Sequence, residues 1–233
     1  MSTATAERLT ERALELALCA ATTGYPDEGI LERLGPLLAQ PSLAATVADT
    51  PLASLLASWG RDEACLDAAR SAYLERFERA AGGNPLHETE YARSKLLAKP
   101  TVLADLGGFA TAFGFESAGL DMLDHVAAQL ELLGVLTLKE AVLTETGDSE
   151  GSEIVRDARG KLLKDHTAPL VRALSARADL RDDATFGPVF AFCAAVIDAE
   201  CEALGVEAEV LRPATDGGEG DHMECGACVA LPR

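Results

Sequence analysis

The stretch Asp121-Met-Leu-Asp-His-Val-Ala-Ala-Gln-Leu-Glu-Leu-Leu-Gly-Val-Leu136 decides how this chain is read. Taken at 100° per residue, it predicts a helix with one wide apolar arc. Met122, Leu123, Val126, Leu130, Leu132, Leu133 and Leu136 share about half the circumference. His125 and Gln129 fall inside that arc, one turn apart. Asp124 and Glu131 fall on the other side, with Asp121 at the edge, where it reads as a helix cap. A helix wrapped this widely by apolar residues belongs at the centre of a fold. Its His125–Gln129 pair must then be hydrogen-bonded internally or line a groove.

Downstream, residues 144–151 read as a polar loop and residues 152–164 as a helix. Asp165-His166-Thr-Ala-Pro169 follows, and its proline suits the first turn of a next helix. Phe186, Val189, Phe190, Cys193, Ile197, Cys201 and Leu204 form the cleanest amphipathic stripe in the chain, closed by Gly205. Residues 206–210 alternate, but one short strand does not make a sheet. From Pro213 the sequence is Gly-rich and acidic, which predicts a disordered tail over residues 213–233.

Upstream, residues 101–113 predict a helix with Leu103, Leu106, Ala110 and Phe113 inward. Gly107-Gly108 in its middle costs about 1 kcal/mol each against Ala, tolerable if a neighbouring helix packs closely there. Leu86-His-Glu-Thr-Glu-Tyr91 is a polar run just after Gly82-Gly-Asn-Pro85. Residues 61–80 predict a helix, with Leu66, Ala69, Tyr73, Phe77 and Ala80 at three- and four-residue steps. Residues 5–22 predict another, stopped by Gly24-Tyr-Pro26. Asp27 and Glu28 favour a new helix start, and Gly35-Pro36 should break or kink that helix. Residues 41–50 and 51–59 read as short helices, and the single Trp, Trp59, as a core or groove-wall residue. No internal repeat is present. The chain reads as all-α: one globular helical domain, or two closely packed helical halves, over residues 1–212.

Composition narrows the function. Of 233 residues, 48% are hydrophobic and only 5% aromatic, with a net charge of −18. Such acidity repels nucleic-acid phosphate and anionic lipid and attracts a basic peptide, or simply keeps the protein in solution. No secretory signal and no apolar run long enough for a membrane span are present, so a cytoplasmic protein without stable membrane insertion is expected. Its six Cys should then be mostly reduced thiols.

Catalytic and metal motifs are weak. His87, Glu88 and Glu90 could ligate a metal, but helical carboxylate sites use matched Glu-x-x-His pairs. Met122 and Leu163 stand three residues before His125 and His166; the one match, Glu219-Gly-Asp-His222, lies in the tail. Cys225-Gly-Ala-Cys228 with His222 nearby is a lone pair, half of what a structural zinc site requires. Cys193 and Cys201 on the apolar stripe read as small hydrophobes. There is no Gly-x-x-x-x-Gly-Lys-[Ser/Thr] loop and no Gly-x-Ser-x-Gly. No catalytic residue and no cofactor is expected.

Four motifs in order carry a resemblance: Tyr73-Leu-Glu-Arg-Phe77, Glu88-Thr-Glu-Tyr91, Asp124-His-Val126 and Lys164-Asp-His166. Over residues 60–205 the chain resembles the redox-enzyme maturation chaperones of the TorD/DmsD/NarJ type. It departs from them where the family often has Glu-Leu-Glu-Phe-Met and this chain has Gln129-Leu-Glu-Leu-Leu133, which points to an altered groove and a different client. The resemblance implies an all-helical, non-catalytic cytoplasmic protein. Its partner would be the twin-arginine leader or N-terminal segment of an apo molybdoenzyme catalytic subunit, and it would delay export and assist molybdenum-cofactor insertion. The residues so implied in client binding are Asp124, His125, Gln129, Glu88, Tyr91, Tyr73, Phe77 and His166, in a monomer or homodimer. Two rival readings stand beside it. One is a metal- or thiol-dependent oxidoreductase using His87, His125 and the Cys225–Cys228 pair. The other is a structural helical subunit.

Overall fold

The Leu130 stretch does become a central helix, but it begins later than its periodicity implies. The computed structural model describes residues 3–78, 85–91, 95–115, 122–209 and 211. In it the helix runs Val126–Thr146, and His125 is its N-cap, in an extended backbone conformation. Residues 122–125 therefore never join the helical wheel. Met122 is exposed, and Asp124, expected on the polar side, is completely buried. Asp121 lies outside the described residues.

The chain is all-α. Its helices are α1 (Thr3–Thr23), α2 (Ile30–Leu38), α3 (Pro41–Ala48), α4 (Pro51–Trp59), α5 (Glu63–Tyr73) and α6 (Lys95–Phe113). Then follow α7 (Val126–Thr146), α8 (Ser149–Leu162), α9 (Ala168–Ser175), α10 (Ala178–Arg181) and α11 (Phe186–Leu204). The alternating residues near 206 form no strand among the described residues. The nearest thing to a sheet is a single antiparallel bridge between His87 and His125.

Local chemistry sets most of these boundaries. α3 and α4 each begin with proline in the first turn, where its missing N–H costs nothing. Asp62 caps α5 by accepting from the Cys65 N–H. Asp183 Oδ1 accepts from both Thr185 and Phe186 N–H at 2.8 Å, tying the entry to α11. The predicted loop over residues 144–151 shrinks to a tight turn at Gly147-Asp148. Gly147 closes α7 at φ +79°, and Asp148 caps α8 at once. Thr144, read as loop, is buried instead and hydrogen-bonds Ser152 at 3.0 Å.

Prolines act less uniformly than expected. Pro36 does not break α2, which is only nine residues long and runs through it. The helix predicted over residues 61–80 ends as regular helix at Tyr73 and continues as a wider π turn, Leu74–Glu78. A second π turn, Leu163–Thr167, joins α8 to α9 just before Pro169. There the Ala168 N–H reaches back five residues to the Leu163 carbonyl. A proline ring crowds the carbonyl four residues upstream, and inserting one residue relieves that crowding.

α7 is the axis of the packing. α1 lies along it over the longest contact, α8 folds back on it, and α11 packs on both α1 and α9. α1 and α7 meet at Gly134, where an added Cβ would touch Leu16 Cβ at 3.4 Å and the Ala13 carbonyl at 3.7 Å. One core runs from Leu16 and Ile30 through Trp59, Leu130 and Leu133 to Phe186 and Phe190. The close neighbour that would make Gly107-Gly108 tolerable is not found among the described residues: an added Cβ at either would meet none of their atoms within 4 Å. No described helix is long and apolar enough to cross a membrane.

Candidate functional site

Two backbone hydrogen bonds staple the polar run after Pro85 to the start of α7. Glu88 N–H donates to the Asp124 carbonyl at 2.9 Å, and Val126 N–H donates to the Leu86 carbonyl at 2.8 Å. The staple explains why the central helix starts late. The backbone of residues 124–126 pairs with another segment instead of closing a helical turn. His125 then satisfies an orphan helix donor, its Nδ1 accepting from the Ala127 N–H at 3.1 Å.

Around the staple the side chains form one network. Thr89 Oγ1 donates to Asp124 Oδ2 at 2.6 Å, and His87 Nδ1 donates to Asp124 Oδ1 at 3.1 Å. Gln129 Nε2 donates to Glu88 Oε2 at 2.7 Å. His166, brought in by the π turn, lies with Nδ1 3.0 Å from Glu88 Oε2 and Nε2 3.0 Å from Asp105 Oδ2 on α6. The His87 and His125 rings meet edge to face at 5.0 Å. Glu88, Asp124, His125, Gln129 and His166 are all buried, whereas the side chains of His87 and Asp105 are 39% and 60% exposed. The network thus has a buried interior and a two-residue polar rim.

The electrostatics follow from this geometry. Burial pushes the Asp124 carboxyl up, but hydrogen bonds from His87 and Thr89, with the Lys99 charge, outweigh it and hold the group below the ordinary aspartate range. Burial pushes His166 down, but hydrogen bonds and charge from Glu88 and Asp105 outweigh it and raise the imidazole above its ordinary value. The imidazolium form of His166 can donate from both ring nitrogens, one toward Glu88 and one toward Asp105. Gln129 Oε1 is buried without a hydrogen-bond partner among the described residues.

Of the eight residues implied in client binding, these five converge. Tyr91 is buried beside them on the Glu88–Tyr91 turn, its hydroxyl donating to the Pro85 carbonyl at 3.1 Å. Burial pushes that phenol well up. Tyr73 and Phe77 belong instead to an aromatic cluster. Tyr73 packs edge-on against Tyr25, Phe77 and Phe186, and Phe77 against Phe186 and Phe190, with centroids 4.9–6.2 Å apart. Phe77 sits on the first π turn, as His166 sits on the second. Such turns recur at functional positions because the extra residue re-aims a side chain.

Sequence reasoning missed Asp105, which reads as an ordinary exposed helix position, and Thr89, visible only as the second residue of its motif. It also misplaced Asp124 as a surface charge. Among the described residues, no group of three or more His, Cys, Asp or Glu is arranged to hold a metal ion. His222, Cys225 and Cys228 lie outside the described residues. Trp59, read as core or groove wall, is both. It is buried, and it lines a pocket of about 480 Å³ together with Leu31, Leu66, Glu28, Asp62, Glu63 and Arg70.

No protein-family model, curated protein or solved structure matches this chain.

Proposed function

We propose that this protein is a chaperone for the apo catalytic subunit of a molybdoenzyme. It binds that subunit's twin-arginine leader, holds back export and assists insertion of the molybdenum cofactor. The observation that carries the reading is the convergence of Glu88, Asp124, Gln129 and His166 on one hydrogen-bonded unit. Glu88, Asp124 and His166 come from three of the four motifs that resemble the redox-enzyme maturation chaperones, and Gln129 comes from the stretch where the chain departs from them. A generic helical bundle has no need to gather them.

Client chemistry supports the same reading. A leader with two arginines followed by an apolar segment wants carboxylates beside an apolar floor. The pocket over Trp59, Leu31 and Leu66 offers that floor, with Glu28, Asp62 and Glu63 around it and Arg70 engaged by Asp67 and the Pro26 carbonyl. The network, which shares no residue with that pocket's lining, carries its own exposed carboxylate at Asp105. In this arrangement the buried Asp124 is a positioning residue, which holds His87 and the Thr89 turn in place.

The test is calorimetric titration of the protein with twin-arginine leader peptides from the molybdoenzyme genes of its source genome, at low and high salt. Binding should be saturable with at least one leader and weaken as salt screens the charges. Replacing the two leader arginines by glutamine should abolish it. Failure of every leader at low salt overturns the proposal.

A further inference from the structure

In a chain of net charge −18, four arginines line a single pocket. Arg8 and Arg12 come from α1, Arg156 and Arg159 from α8, and the lining carboxylates are Glu140 of α7 and Glu200 of α11. The pocket encloses about 380 Å³. Arg159 is the inner member, buried and ion-paired through Nη1 to Glu140 and through Nη2 to Glu200. Its Nε is buried with no hydrogen-bond partner among the described residues. Arg12 pairs with Glu200 at 3.1 Å and with Glu15 at 2.5 Å. Arg8 and Arg156 are exposed, and their described hydrogen bonds go to the backbone carbonyls of Ala4 and Ala203.

We infer that this pocket binds the phosphoryl group of a small phosphorylated molecule. Four guanidiniums against two lining carboxylates leave a positive surplus, which Glu15 offsets only from outside the lining. A phosphate monoester carries about −1.5 to −2 at neutral pH and three strong acceptor oxygens, against one charge and two oxygens for a carboxylate. The rigid guanidinium fork matches that geometry two bonds at a time. Among the described residues, Arg8 and Arg156 have guanidinium donors free of carboxylates. The volume lies within the roughly 300–1,000 Å³ of small-molecule sites and exceeds what phosphate alone would fill. Leu9 and Leu204 supply apolar wall for the remainder of the ligand.

Inorganic phosphate, glucose 6-phosphate and acetate serve as probes, each titrated into the full-length protein at low ionic strength. Saturable binding is expected for both phosphates, with acetate at least about tenfold weaker. The double variant Arg8→Gln/Arg156→Gln should keep the wild-type melting temperature, because both side chains are exposed. It should weaken phosphate binding by about tenfold or more. Three results each overturn the inference: no saturable binding of either phosphate, acetate binding as well as phosphate, or unchanged affinity in the double variant.

Discussion

The protein buries two polar clusters on the same helix, and they are built on opposite principles. Gln129 and Glu140 are eleven residues apart on α7, about 16 Å along its axis. At Gln129 the cluster is made of carboxylates and imidazoles, and Glu88 and Asp105 raise His166 above its ordinary value. At Glu140 it is made of carboxylates and guanidiniums, with Arg159 bridging Glu140 and Glu200. The first cluster opens to solvent through His87 and Asp105, the second through Arg8 and Arg156. One helix therefore carries an acid–histidine centre and an arginine centre, and the two should fail in different ways.

The largest expected effect is at the arginine centre. Arg159→Ala removes the shared partner of Glu140 and Glu200 and leaves two buried carboxylates without it. Breaking a buried ion pair from one side costs about 3–5 kcal/mol. Thermal or urea unfolding should show a loss of that size, while Arg156→Ala, three residues away and exposed, should change stability by well under 1 kcal/mol or so. A loss under about 1 kcal/mol for Arg159→Ala would mean that the pocket is hydrated enough to shelter both acids.

Asp124→Asn comes next. It keeps the shape but removes the charge that accepts from His87 and Thr89. Charge-assisted hydrogen bonds of this kind are worth about 1–3 kcal/mol, so stability should fall by that much. Leader affinity should fall as well if the network positions the rim, and the two measurements together separate a purely structural network from a positioning one.

The two clusters were unequally legible in the sequence. α4 and the inward face of α7 could be read directly, because a proline at the helix start and strict 3.6-residue spacing are local signals. The acid–histidine centre was visible only as scattered motifs. Its assembly depends on a two-bond staple between residues 86–88 and 124–126 and on a π turn at His166. Neither leaves a periodic trace, which is why Asp124 was placed on the wrong side. The arginine centre was missed altogether, since Arg156-Asp-Ala-Arg159 reads as a solvated helix face. A signal did exist. Glu140 follows Leu133, Leu136 and Thr137 at helical spacing, and Glu200 lies between Ile197 and Cys201 on the last stripe. A single acid inside each of two apolar stripes calls for a buried cation.

The comparison sharpens with pH. Because His166 is raised in the folded state, its contribution to stability is complete below the unfolded value of about 6.5 and is lost as pH rises through the folded value. Asp124, being lowered, contributes fully above about 3.9 and loses that contribution as pH falls through its folded value. Between roughly pH 3.9 and 6.5 both terms are complete. Melting curves of wild type and His166→Gln across pH 5.5–8.5, a range set around the ordinary histidine value of about 6.5, should therefore converge toward the alkaline end. The wild type should hold its advantage on the acid side. Parallel curves for wild type and His166→Gln would show that the imidazolium does not contribute.

The smallest effect has the opposite sign. α6 brings Asp105 to His166, yet it carries Gly107 and Gly108 with nothing within 4 Å of either added Cβ among the described residues. Neither glycine has a left-handed backbone, so neither needs glycine's freedom. Each only enlarges the unfolded ensemble, and Ala at a compatible helical site stabilises by about 0.4–1 kcal/mol. Gly107→Ala and Gly108→Ala should each raise the melting temperature slightly. The further readout is the pH dependence. If α6 is held in place chiefly by its own helicity, stiffening it leaves the His166-dependent slope unchanged. If the Asp105–His166 bond is instead what draws α6 onto the rest of the fold, the alanine variants should retain more stability above neutral pH than wild type. A lower melting temperature in either variant would show that these glycines make a contact this structure does not contain.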